Sequence, residues 1–363
     1  MIIFSTYILF GITLLLLVFN LLIYSALNKL FRFQKKKESN IKISIVVAAK
    51  NEINNMQYLV AALCAQNYSK EDYEVIIIDD NSEDNTYATS KILCAELANF
   101  HTIKAENKIF DGKKGALDIG IKKAKYPYIL VTDADCEPET EWINSFAIGF
   151  ENGNDFLFGI APFKVSNSLT NLIARFENLK ANFIVFAFAK LGVPYSATAR
   201  SFGFSKEAFH KILGYQNTIA TLSGDDDLLL QEAIKFKLKI GIITGHNSFV
   251  YSKTKNTFCE YANQKARHTS TSLHYSFKSK MLLATWHLLN LISLFSILAL
   301  PLGTIFILPF FIKIIIDIFV LNNFQHNFGC KINPLLFLAL QINYELNIIY
   351  FFFKGLKFSN RWD

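Results

Sequence analysis

Carboxylates in this sequence collect where short apolar runs end. Tyr128 to Val131 leads straight into Thr132-Asp133-Ala134-Asp135. Residues two apart in an extended segment point the same way, so Asp133 and Asp135 can turn both carboxylates on one hard cation, with an acidic turn as the plain alternative. Val75 to Ile78 ends in Asp79-Asp80, and Ile43 to Ala48 leads into Lys50-Asn51-Glu52. Side chains of these types accept hydrogen bonds from a base N–H or from ribose hydroxyls, or else cap the next helix. Ser223-Gly224-Asp225-Asp226-Asp227 sets three adjacent carboxylates at the start of a helical pattern. Capping accounts for one of them, and crowding like charges raises at least one pKa, which is what a general base requires.

Two basic stretches accompany the acids. In Asp111-Gly112-Lys113-Lys114-Gly115 the glycines let backbone N–H groups approach a phosphate and Lys113 adds charge, although a solvated basic loop has the same composition. Gln264-Lys265-Ala266-Arg267-His268 puts Gln264, Arg267 and His268 on one helical face. An arginine fork there can clamp a diphosphate, or basic side chains can rest against lipid headgroups.

The elements that must position these groups are those of an α/β domain. Ile43 to Ala48, Val75 to Ile78 and Tyr128 to Val131 read as buried strands with helical stretches between them, which implies βαβ units and a mainly parallel sheet with helices on both faces. Ligands in such sheets bind beyond the carboxyl ends of the strands, where the acids lie. The expected domain covers residues 42–280.

Composition adds a membrane. Among 363 residues, 52% are hydrophobic and 35 are Phe, an excess that a soluble enzyme of this size does not need. Ile2 to Leu27 carries no charge and is long enough to cross a bilayer, giving an expected transmembrane helix over 1–28. A cleaved signal peptide fits less well, because the basic residues follow the apolar run and no Ala-x-Ala site is present. The basic segment 29–41, with Lys29, Arg32, Lys35, Lys36 and Lys37, continues to Lys42 and puts the next domain in the cytoplasm under the positive-inside rule. Two further transmembrane helices are expected over 281–322, the second carrying Lys313 and Asp317 four apart, either mutually neutralised or functional. Residues 333–353 form a third C-terminal segment, membrane-spanning or interfacial. The net charge of +7 selects no partner by sign alone. Cys64, Cys94, Cys136, Cys259 and Cys330 have no zinc-site spacing and are expected as free thiols in a reducing compartment.

In order and type, these motifs resemble the family 2 glycosyltransferases, inverting enzymes of the GT-A fold that include cellulose, chitin and hyaluronan synthases. The resemblance runs over about Ile43 to Ser270. Lys50-Asn51-Glu52 is similar to the family's opening "ARNE" segment, Asp79-Asp80 to its uracil-contacting pair, and Lys113 to Asp118 to its "KAGALN" loop. Asp133 and Asp135 match the metal-binding Asp-x-Asp, Phe202 to Phe209 the acceptor-side segment, and Gly224-Asp225-Asp226 the motif with the catalytic base. Gln264 to His268 resembles "QxxRW", with His268 in place of Trp. Asp118 and Ser201 each replace an Asn.

The resemblance implies a GT-A domain, Rossmann-like, with transmembrane helices. It implies transfer of a sugar from a nucleotide-diphosphate sugar, a UDP-sugar first, to a lipid-linked or glycan acceptor. Asp226 is the preferred base and Asp225 the alternative register. Asp135, supported by Asp133, would hold Mg²⁺ or Mn²⁺. Asn51, Glu52, Asp79, Asp80, Lys113, Asp133, Gln264, Arg267 and His268 would bind substrate. The expected setting is a bacterial plasma membrane, with no nucleic-acid partner. Two rivals stand beside this reading: a haloacid-dehalogenase-like phosphatase, with Asp133 as nucleophile, and a non-catalytic membrane scaffold with a degenerate nucleotide fold.

Overall fold

The computed structural model describes residues 2–32 and 38–357, with side chains from Tyr7 onward. Lys35, Lys36 and Lys37 of the basic segment lie outside the described residues. In chain order the elements are α1 (Ile2–Leu30), β1 (Ile43–Ala49), α2 (Ile53–Cys64), β2 (Tyr73–Asp79), α3 (Thr86–Cys94), β3 (Phe100–Lys104), α4 (Gly112–Lys123), β4 (Tyr128–Val131), β5 (Cys136–Pro138), α5 (Trp142–Glu151) and β6 (Phe156–Gly159). They continue with α6 (Leu169–Lys190), β7 (Phe202–Ser205), α7 (Lys206–Lys211), α8 (Asp227–Lys235), β8 (Ile240–Ile243), β9 (Val250–Ser252), α9 (Phe258–Thr271), α10 (Phe277–Phe295), α11 (Leu308–Phe324) and α12 (Phe337–Leu356). Short 3-10 turns connect several of them.

By its contacts the chain divides into two units, one built from residues 33–164 and 194–254, the other from residues 1–32, 165–193 and 255–358. The first holds a seven-stranded sheet in the order β3-β2-β1-β4-β7-β6-β8. Neighbours run parallel except β7, which is antiparallel to both β4 and β6. β1 and β2 read ISIVVAA and YEVIIID, β-branched runs buried on both faces as a central parallel pair requires.

One face of the sheet presents Ile43, Ile45, Val47, Val75 and Ile77 to Met56, Leu59 and Leu63 of α2 and to Trp142, Ile143 and Phe146 of α5. Burying each such side chain contributes about 1.5–3 kcal/mol. On the other face α4 lies so close that a methyl on Gly120 would sit 2.5 Å from both Val46 and Ile78, so a larger residue there would force helix and sheet apart. A separate two-stranded ribbon pairs β5 with β9.

The second unit contains four helices long and apolar enough to cross a membrane: Tyr7–Leu30, Phe277–Leu302, Thr304–Phe324 and Pro334–Leu356. The last covers the expected C-terminal segment. Lys313 and Asp317 are buried and 2.7 Å apart, neutralising each other as their spacing allowed. Asp317 also meets Lys180 of α6 at 3.3 Å, and Lys313 donates to Asn290 of α10 at 2.6 Å.

α6 and α9 lie inside the stretch expected as one domain over 42–280, yet they pack in this second unit. Phe176 of α6 meets Phe337 and Tyr344, Phe183 and Phe186 meet Phe328, and Glu177 pairs with Lys265 of α9 at 2.8 Å. The reason is the apolar face of α6, which finds its complement among helices far away in sequence. Among the described residues all five cysteines are free thiols.

Candidate active site

The sheet delivers its acids as strand ends. β4 is paired on both edges, by β1 and by β7, which fixes where Val131 stops. Thr132 Oγ1 then donates to the Arg200 carbonyl at 2.8 Å, and β5 opens at Cys136 in the ribbon with β9, so Asp133-Ala134-Asp135 is held at both ends. The ligand-capable atoms of Asp133, Asp135 and Cys136 lie within 4.8 Å of one another. Cys136 is fully buried with its Sγ 3.6 Å from Asp135 Oδ1, and burial first, then Asp135 and Asp133, push its thiol up. The two carboxylates are hard oxygen donors, which suit Mg²⁺ or Mn²⁺.

Lys113, in the first turn of α4, sits between two acidic segments that the sequence keeps far apart. Its Nζ donates to Asp133 Oδ1 and to Asp225 Oδ2, each at 2.6 Å. Burial opposes the ionisation of Asp225, but the Lys113 ammonium outweighs it and holds that carboxyl below the usual range. Lys114 turns elsewhere, donating to the carbonyls of Thr218 and Thr221 and so tying down the chain that leads to Asp225. Its own pKa is brought down to about 8 by burial, against the pull of Asp225 and Asp226.

Asp226 accepts the Ala199 N–H at 2.6 Å and the Asp227 N–H at 2.7 Å, capping α8 as it reaches back to the turn before β7. Burial, then Asp227 and Asp225, hold its carboxyl well above the normal carboxylate range. Asp227 is turned away, accepting Ser196 Oγ at 2.6 Å and Ala197 N–H at 3.0 Å. Capping and a raised pKa therefore coexist at Asp226.

A cavity of about 480 Å³ opens beside these groups, lined by Lys50, Asp80, Lys108, Asp111 and Ile219 among others. Asp79 is buried at the end of β2. Its Oδ2 accepts the Ser82 N–H at 3.4 Å, while Oδ1 has no hydrogen-bond partner. An orphaned buried acceptor is costly unless a ligand donor meets it. Asp80 is ion-paired with Lys108 at 2.5 Å.

Asn51 and Glu52, expected to bind substrate, make local hydrogen bonds at the ends of β1 and β2. Asn51 adopts φ +56°, gives its N–H to Ser82 Oγ at 3.0 Å and accepts the Glu83 N–H at 2.8 Å, latching the turn after β1 to the turn after β2. Glu52 accepts Asn55 Nδ2 at 2.6 Å at the start of α2. Neither lines the cavity. Ser201 is also buried, accepting Trp142 Nε1 at 3.1 Å. Gln264, Arg267 and His268 belong to α9, in the unit that holds the apolar helices.

Residues beyond the expected set also serve this mouth. Lys108 and Lys114 act as described, and Arg200 lies over the Phe163 ring at 4.4 Å and donates to Ser252 Oγ at 2.8 Å, bracing the ribbon behind Cys136. Lys108 stands five residues before Lys113, a spacing that carries no motif.

Comparison with known proteins bears on the family and the fold. The model of the family described as Glycosyl transferase family 2 matches residues 44–213. Glycosyltransferase AglE of Haloferax volcanii is 26% identical over 101 residues, covering 28% of this chain and 33% of that protein. The beta-monoglucosyldiacylglycerol synthase of Trichormus variabilis is 33% identical over 112 residues, covering 31% and 24%. The chain thus spans about a quarter to a third of the length of these curated relatives. A mannosyltransferase of Pyrobaculum calidifontis, solved with GDP-Man and Mn²⁺, superposes with a TM-score of 0.61 at 13% identity over 97% of this chain and 98% of that one. At that identity the likeness is one of fold, and the fold is GT-A, beside four helices long and apolar enough to cross a membrane.

Proposed function

We propose that the protein, whose residues 44–213 match the model of Glycosyl transferase family 2, moves a sugar from a nucleotide-diphosphate sugar to a hydroxyl of a lipid-linked or glycan acceptor, inverting the anomeric carbon. A UDP-sugar is the first candidate donor. The observation that carries this reading is the meeting of Asp133 and Asp225 on Lys113, with Asp226 next in the chain.

Asp79 Oδ1, buried and without a partner, is suited to the N–H of a nucleobase, and the cavity lined by its chain neighbours Asp80 and Asn81 has the volume for a nucleoside. Asp135 and Asp133 would hold Mg²⁺ or Mn²⁺. When bound, such an ion would neutralise charge developing on the departing diphosphate. Asp226, with its raised pKa, takes the proton from the acceptor hydroxyl as that oxygen bonds to the anomeric carbon and the bond to the diphosphate oxygen breaks.

Four apolar helices in the same chain favour an acceptor that is itself in the membrane. Lys29, Arg32 and Lys42, after the first of them, favour a cytoplasmic catalytic unit, on a bacterial plasma membrane.

The deciding experiment incubates the full chain with radiolabelled nucleotide-sugars, Mn²⁺ and membrane lipid extracts. Label should enter the lipid fraction with the wild type and be lost with Asp135→Ala and Asp226→Asn. Undiminished transfer by both variants, or label released only as free sugar, would refute the reading.

A further inference from the structure

Lys113 puts its ammonium on Asp133, one of the two carboxylates expected to hold the metal ion. One oxygen of Asp133 and one of Asp225 lie 2.6 Å from a single ammonium, so the two oxygens are no farther apart than twice that distance. Two carboxylates this close, Asp225 the more buried and Asp133 the more exposed, repel each other unless a cation or a proton stands between them. Lys113 is the cation that the fold supplies, and its backbone is fixed. Gly112 begins α4 at φ +62°, and the position a Cβ would take on Gly115 lies against the Phe110 carbonyl at 1.9 Å, so the helix end is seated on its loop without room to slide. The four-carbon stem of the lysine is the adjustable part.

Building on the metal reading of Asp133 and Asp135, we infer that Lys113 is a built-in competitor of the divalent ion. It keeps the acidic cluster neutralised and resists a free metal ion until a diphosphate arrives to receive the ammonium. An ion approaching Asp133 meets a positive charge already bonded to that carboxylate. A diphosphate relieves the conflict, since it offers Lys113 another anion and adds oxygens to the ion's coordination. Each ligand then helps the other bind, and such coupling is reciprocal. Lys113 thus acts as a positioning residue that makes metal and nucleotide bind together.

The test measures Mn²⁺ binding to the full chain in detergent from the loss of the free-ion electron paramagnetic resonance signal, with and without UDP. Wild type should bind Mn²⁺ alone weakly and about 10- to 100-fold more tightly with UDP. Lys113→Met should tighten binding of Mn²⁺ alone by about tenfold or more and shrink the effect of UDP, while Lys113→Arg, which keeps the charge, should behave like wild type. A loss of structure would weaken both measurements together, so tighter binding cannot arise from damage. If Lys113→Met holds Mn²⁺ alone no better than wild type, the inference is wrong while Mn²⁺ binding with UDP still upholds the metal site; if no form binds Mn²⁺ even with UDP, the metal reading fails and the inference falls with it.

Discussion

Asp226 accepts the backbone N–H of Ala199 at 2.6 Å, which joins the start of α8 to the turn entering β7. The acid proposed as base is therefore positioned by the backbone on both sides, and its orientation does not depend on a flexible side-chain partner. Asp226→Asn should lower kcat by about 10²- to 10⁴-fold, the usual worth of a general base, with little change in donor KM. Steady-state kinetics with the donor found by the screen would check this, and a loss expressed only in KM would contradict it.

The pH dependence follows from the direction of the Asp226 shift. Burial, Asp227 and Asp225 raise its pKa in the folded state, so the fold retains a proton that the unfolded chain releases near pH 3.9. Its contribution to stability is complete below that value and is lost as pH rises through the folded pKa. Activity runs the opposite way, since the base must be deprotonated. Asp227→Asn keeps an oxygen for Ser196 and Ala197 but removes a like charge. Its acid limb should shift to lower pH, and its melting temperature should gain on wild type more at pH 8 than at pH 5. A limb that stays in place would argue against Asp226 as the titrating group.

Asp79→Ala removes the buried oxygen that lacks a partner. Nucleotide binding should weaken by about 1–3 kcal/mol, the worth of one buried hydrogen bond, with kcat at saturating donor largely retained. Calorimetric titration with UDP reads this directly, and unchanged affinity would remove Asp79 from the base pocket.

In the unit with the long apolar helices, Asp317→Ala leaves Lys313 and Lys180 buried without their shared carboxylate. The expected loss is about 3–5 kcal/mol, as for breaking a buried ion pair. Lys313→Ala should cost less, because Asp317 keeps Lys180. Thermal unfolding in detergent would rank the two, and the reverse order would show that Lys313 is held mainly by Asn290.

Strands buried on both faces were legible in the sequence because an unbroken β-branched run has few other uses. The edge strand β3, FHTIK, was not, since its half-exposed face mixes polar with apolar residues. The acids of the mouth were legible by their place at strand ends. Lys108 and Lys114 were hidden, because their partners are an acid of another turn and two backbone carbonyls, which no local pattern encodes. α6 was hidden by Arg175, Glu177 and Lys180, whose partners on α9, on α11 and at Lys331 stand scores of residues away.

The threading of α6 through the middle of the sequence has a practical outcome for anyone trimming this protein. A fragment cut at 42–280 to remove the apolar helices would still carry Phe176, Phe183 and Phe186, now stripped of Phe328, Phe337 and Tyr344. Such a fragment would offer a row of bare aromatic rings to its neighbours and come out of cells as aggregate, so the enzyme has to be purified whole, in detergent or lipid.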